Sequence, residues 1–98
     1  MAEYIQIIEY QSDDVAAVIE AANSVPVPDD VPKPTSVVMV RDRDRPDTYA
    51  TILRFDSYED AMAHSESDAT HERVAKLRPH MKGELRFYNL DVLHETNP

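Results

Sequence analysis

The chain has 98 residues, no cysteine, and a formal net charge of −9 from nineteen acidic and ten basic side chains. An acidic field of that size repels phosphate backbones, so no nucleic-acid partner is expected, and the lack of cysteine excludes disulfides, thiol nucleophiles and thiolate metal sites. No run approaches the ~20 apolar residues of a membrane span, and Met1-Ala2-Glu3-Tyr4 has no basic region leading into an apolar one, so no membrane association is expected and the cytoplasm is the expected location.

One domain over 1–98 is expected at this length. The first strand is predicted over Glu3 to Tyr10, with Ile5 and Ile7 on one side and Tyr4, Ile8 and Tyr10 on the other. Apolar groups on both sides predict that both faces are covered. Ser12 is the expected N-cap of a helix, and Asp13 and Asp14 complement its dipole. Val15, Val18, Ile19 and Ala22 recur at helical spacing, and the helix is expected to end near Asn23 or Ser24. Val25 to Pro34 contains Pro26, Pro28, Pro32 and Pro34 and reads as an extended connector or the rim of a pocket.

Thr35 to Arg41 and Thr48 to Phe55 are predicted to form a β-hairpin across the charged turn Asp42 to Asp47. Val37 and Met39 oppose Val38 and Val40; Ala50 and Ile52 oppose Tyr49, Leu53 and Phe55. Ser57-x-x-Asp60 is a capping box that starts a helix at Tyr58, and Ser65-x-x-Asp68 repeats the pattern. A short helix to about His64, a break, and a second helix from about Glu66 follow from that repeat. Val74, Leu77 and Met81 form its inward stripe, Pro79 tightens or kinks its last turn, and Gly83 is expected at the left-handed C′ position that ends it. Leu85 to Leu93 is the last strand, and His94 to Pro98 a polar tail.

The order β-α-β-β-α-β predicts an α+β, ferredoxin-like domain: a four-stranded antiparallel sheet with the helices on one face. The other face keeps about eight apolar or aromatic side chains, each worth ~1.5–3 kcal/mol when buried. A patch of that size exceeds what a monomer usually exposes, so a homodimer through the open sheet face is expected.

That element order, the aromatic Phe55 closing the third strand, and Ser57-x-Glu59-Asp60-Ala61-x-x-His64-x-x-Ser67 together resemble the dimeric α/β-barrel superfamily, in particular its antibiotic biosynthesis monooxygenase-like domains. The resemblance spans nearly the whole chain. It implies a barrel of two protomers in which each sheet's open face lines a cavity. It also implies possible activity as a cofactor-independent oxygenase of an aromatic or quinone-like molecule, with no cofactor. The haem-degrading members of that superfamily carry, as a set, an asparagine on the first strand, a tryptophan on the third and a histidine on the second helix. This chain has Gln6, Phe55 and no tryptophan, so haem degradation is not expected.

The resemblance puts His64 at a motif position, and an imidazole that titrates near ~6.5 suits proton abstraction near neutrality. The alternative is that His64 orders the helix break by bonding to backbone. Arg54 and Arg86 are charges within strands; each either meets an acid across the dimer or anchors an anionic ligand. Tyr49 and Tyr88 supply strand hydroxyls, and His71 completes the candidate ligand-binding set with Arg54. His64, Asp68 and His71 would share a face of an unbroken helix as metal ligands, but the capping pattern breaks that helix, so no metal centre is expected. There is no glycine-rich phosphate loop and no nucleophile elbow. The residues therefore support an enzyme acting in a cavity or a non-catalytic binding or dimerisation module, and an inner face filled by its own side chains would favour the second.

Overall fold

The computed structural model describes residues 3–97. The sheet contains β1 (Tyr4–Gln11), β2 (Ser36–Arg41), β3 (Thr48–Phe55) and β4 (Lys82–Asp91) in the spatial order β2-β3-β1-β4. All three pairings are antiparallel. This is the expected ferredoxin-like α+β arrangement. The helices are α1 (Val15–Asn23), α2 (Tyr58–Glu66) and α3 (Asp68–Leu77), followed by a 3₁₀ turn at Arg78–His80.

Register fixes which side chains share a face. Ile7 pairs with Ile52 and with Tyr88, and Ile52 pairs with Val38, so this row crosses the open face. Its neighbours Ile8, Thr51 and Met39 point toward the helices. The alternation predicted for each strand holds. In the single protomer Val38 is 49% and Leu90 43% exposed, which leaves the open face uncovered. On the other side, Tyr4, Phe55 and Ala61 form a small buried cluster, with Leu53 and Met62 packed against it.

Several boundaries differ from expectation. The cap of α1 is Asp14, whose carboxylate accepts from the Ala17 amide at 3.1 Å. Ser12 is fully buried instead. Its hydroxyl donates to the His80 carbonyl at 2.5 Å and accepts from the Asp14 amide at 3.0 Å, while its amide donates to the Asp47 carbonyl at 3.0 Å. Ser12 thus joins the helix start, the hairpin turn and the 3₁₀ turn. On α1 Val18 is buried, but Ile19 is 41% exposed, so the inward stripe is narrower than its periodicity suggested.

Ser57 caps α2 as expected, accepting from the Asp60 amide at 3.1 Å. The break falls at Ser67, two residues later than the Ser65 pattern predicted. Ser67 takes an extended conformation (φ −69°, ψ 151°) and ends α2 while capping α3. Its hydroxyl donates to the His64 carbonyl at 2.8 Å and accepts from the Thr70 amide at 3.2 Å. The Thr70 hydroxyl donates to the same carbonyl at 2.6 Å. A hydroxyl that serves both helix ends outcompetes one that serves a single end.

Gly83 does not end a helix. Pro79 lacks the amide that would continue α3, so the chain tightens into the 3₁₀ turn and then extends. Gly83 lies inside β4 with φ +67°, where the β1–β4 register shifts between Glu9 and Gln11. A bulge needs a left-handed residue there, and glycine meets that need without a Cβ penalty.

Candidate functional site

A cavity of about 360 Å³ lies between the sheet and the helices. Ile8, Met39 and Leu53 form its floor; Val18 of α1 with Val74 and Leu77 of α3 close it from above. The connector supplies one wall through Val25 and Val27, so the proline-rich stretch is the rim of a pocket. This cavity lies on the helix-covered face of the sheet, opposite the open face to which the resemblance assigns the barrel cavity.

His64 is buried and lines this cavity. Its Nδ1 lies 2.9 Å from the Pro32 carbonyl oxygen. A carbonyl only accepts, so Nδ1 carries the proton and Nε2 holds a free lone pair. The ring rests against Phe55 with centroids 5.3 Å apart. Burial holds the imidazole below its ordinary pKa; the bond to Pro32 pulls the other way, and the positive charge of Arg73 depresses it further. His64 is therefore neutral at pH 7, with one nitrogen fixed and the other available as a base.

Arg73 also lines the cavity. Its Nε donates to the Ala22 carbonyl at 3.2 Å and its Nη2 to the Val25 carbonyl at 2.8 Å, binding the C-terminal end of α1 and the start of the connector. Among the described residues it has no carboxylate partner. Sequence reasoning missed Arg73, although the signal was present: Thr70, Arg73, Val74 and Leu77 recur at i, i+3, i+4 and i+7. A cation inside an apolar stripe is the feature that should have stood out.

Tyr10 forms part of the cavity wall and is 2% exposed, and its hydroxyl has no hydrogen-bond partner. Burial raises its pKa; nearby Thr51 opposes that, though the two hydroxyls do not reach bonding geometry. Gln6 contributes an amide whose nitrogen donates to Asn89 at 3.3 Å.

The other sequence-predicted residues lie elsewhere. Arg54 is on the open sheet face and does not reach the cavity. Its Nε and Nη2 donate to the two carboxylate oxygens of Glu3 at 3.1 and 2.8 Å, and it also pairs with Glu95. Both of these acids belong to its own chain. Tyr49 stacks on Tyr10 with centroids 6.1 Å apart, and Arg41 sits over its ring at 5.8 Å. Tyr88 is exposed opposite Ile7 on the open face. His71 is exposed on α3. The break at Ser67 leaves His64 buried and Asp68 and His71 in solvent, and among the described residues no three potential ligands converge on a metal position. No described helix is long and apolar enough to cross a membrane.

No protein-family model matches the chain, and no curated protein matches it. Solved structures do. A candidate antibiotic biosynthesis monooxygenase from Caulobacter crescentus CB15 is similar with a TM-score of 0.80 at 14% identity, over 95% of this chain and 92% of that one. One from Nitrosomonas europaea gives 0.72 at 16% identity, over 97% and 94%. A dimeric ferredoxin-like protein of unknown function from Thermobifida fusca YX gives 0.71 at 14% identity, over 93% and 92%. Identities this low establish a common fold, that of the antibiotic biosynthesis monooxygenase-like ferredoxin-fold proteins.

Proposed function

We propose that the chain is a cytoplasmic homodimer that binds a small aromatic or quinone-like molecule between sheet and helices and oxygenates it without a cofactor. The observation that carries this reading is His64: a neutral imidazole with Nδ1 fixed on Pro32 and Nε2 free, in the wall of an apolar cavity. Fixing one nitrogen orients the other, which is what a general base needs. The names of the Caulobacter and Nitrosomonas structures support an oxygenase, and that of the Thermobifida structure supports a dimer.

His64 removes a proton from a phenolic or enolisable ring. The resulting anion transfers an electron to dioxygen, and the substrate radical and superoxide combine at carbon. The hydroperoxide then loses water, so a ring CH₂ and O₂ become a carbonyl and H₂O. Arg73, in the wall of the same cavity, supplies the positive charge that stabilises the anion.

Oxygen uptake with a panel of small hydroquinones and ring-methylene phenols tests this. Uptake that vanishes in His64→Gln while ligand binding persists supports the reading. Ligand binding with no uptake by the wild type would instead indicate a non-catalytic binding protein, a reading favoured by the extent of aliphatic surface on both sheet faces.

A further inference from the structure

We infer that the cavity selects its ligand as an anion, with Arg73 as the residue that sets this preference; the inference rests on the cavity being the ligand site. Most of the lining is apolar, and a half-buried guanidinium in such a wall gives up part of its hydration. Two backbone carbonyls replace part of it. Carbonyl oxygens satisfy hydrogen bonds but leave the positive charge without a carboxylate counter-ion among the described residues. The positive charge is felt inside the cavity, because it opposes protonation of His64.

The ligand class follows from size and charge. The volume of about 360 Å³ lies near the bottom of the ~300–1,000 Å³ range of small-molecule pockets. That suits one or two fused rings. The charge calls for an acidic oxygen on that ring, and a phenol or hydroxyquinone that ionises near neutrality supplies it. His64 Nε2, a lone pair beside a cation, accepts the proton as the ring oxygen becomes anionic.

The sign of one measurement decides the matter. Burial in an apolar cavity raises the pKa of a phenol, and the chain's net charge of −9 raises it too; a nearby cation or a hydrogen bond donated to the phenolate lowers it, and Arg73→Gln separates the two. 4-Nitrophenol ionises near neutrality and is yellow only as the anion, whereas 4-nitroanisole has nearly the same shape and cannot ionise. With the wild-type protein, 4-nitroanisole binding reports the cavity alone. The ionisation midpoint of bound 4-nitrophenol is expected about one pH unit below that of the free compound, a ~10-fold preference for the phenolate. The downward shift is lost in Arg73→Gln, partly retained in Arg73→Lys, and retained in His64→Gln.

A midpoint at or above that of the free compound, with 4-nitroanisole still bound, overturns anion selection and leaves the cavity reading intact. A shift that disappears in His64→Gln assigns the effect to proton capture by the imidazole and overturns the role of Arg73. If neither compound binds, both readings fall. The wild-type titration fixes the sign even where an Arg73 variant fails to fold.

Discussion

His64 Nδ1 stands 2.9 Å from the carbonyl oxygen of Pro32, a residue thirty-two positions earlier in the chain. This bond ties the proline-rich connector to the end of α2. It also determines which imidazole nitrogen carries the proton. One contact therefore sets both the shape of the site and the chemistry available in it.

His64→Ala removes the donor and the ring packed on Phe55. A lost hydrogen bond and a small void together predict destabilisation of about 1–3 kcal/mol. Gln at this position can still donate to Pro32 and should recover part of the loss. Urea unfolding ranks the variants, and limited proteolysis should cut the connector faster in His64→Ala than in His64→Gln. Equal cleavage would show that the bond does not hold the connector.

The depressed pKa of His64 gives stability a definite pH dependence. The folded state holds the imidazole neutral, so below the unfolded value of ~6.5 the unfolded chain binds the extra proton and is favoured. The contribution is fully present above about pH 6.5 and is lost as pH falls from there through the lowered folded pKa. Unfolding midpoints of wild type should therefore decline more steeply between pH 7.5 and 5.5 than those of His64→Gln. Parallel curves would mean that position 64 does not titrate differently on folding.

Gly83 occupies φ +67° with open space where a Cβ would stand. Gly83→Ala meets no steric clash, so its cost is the backbone penalty alone, about 1–2 kcal/mol. Gly83→Asn should cost less, since asparagine tolerates the left-handed region better. Urea denaturation separates the two, and identical losses would point to a cause other than backbone conformation.

The open face crosses Val38, Ile52, Ile7 and Tyr88 in one row. A single Val38→Asp places a charge at the β2 end of that row. Wild type is expected to sediment as a dimer at micromolar concentration, and Val38→Asp to shift toward monomer with the circular dichroism of the sheet retained. A wild-type monomer would mean that the exposed face is tolerated as it stands.

Arg54 is engaged by Glu3 and Glu95 through Nε and Nη2 on the open face. Arg54→Met should leave ligand binding in the cavity unchanged, and any loss of stability should shrink as salt is added. Weaker ligand binding in that variant would contradict the assignment of the site to the helix-covered face.

Local signals settled much of this protein. Strand alternation fixed both sheet faces, because side-chain direction has period two and needs no tertiary information. The Ser57 capping box fixed the start of α2, and Pro79 the tightened turn after α3. The choice between Ser12 and Asp14, or between Ser65 and Ser67, was not local. Buried contacts of Ser12 with His80 and Asp47 withdrew it from capping, and Ser67 won by serving two helix ends at once. The role of Gly83 likewise depended on β4 pairing with β1 across a shifted register. The candidate site divides in the same way. His64 was legible as a residue type in a motif, but only the fold brought Pro32 to its Nδ1 and Arg73 into the same wall. Sequence periodicity states which way a side chain points; which distant group it meets there is decided when helices and connector close over the sheet.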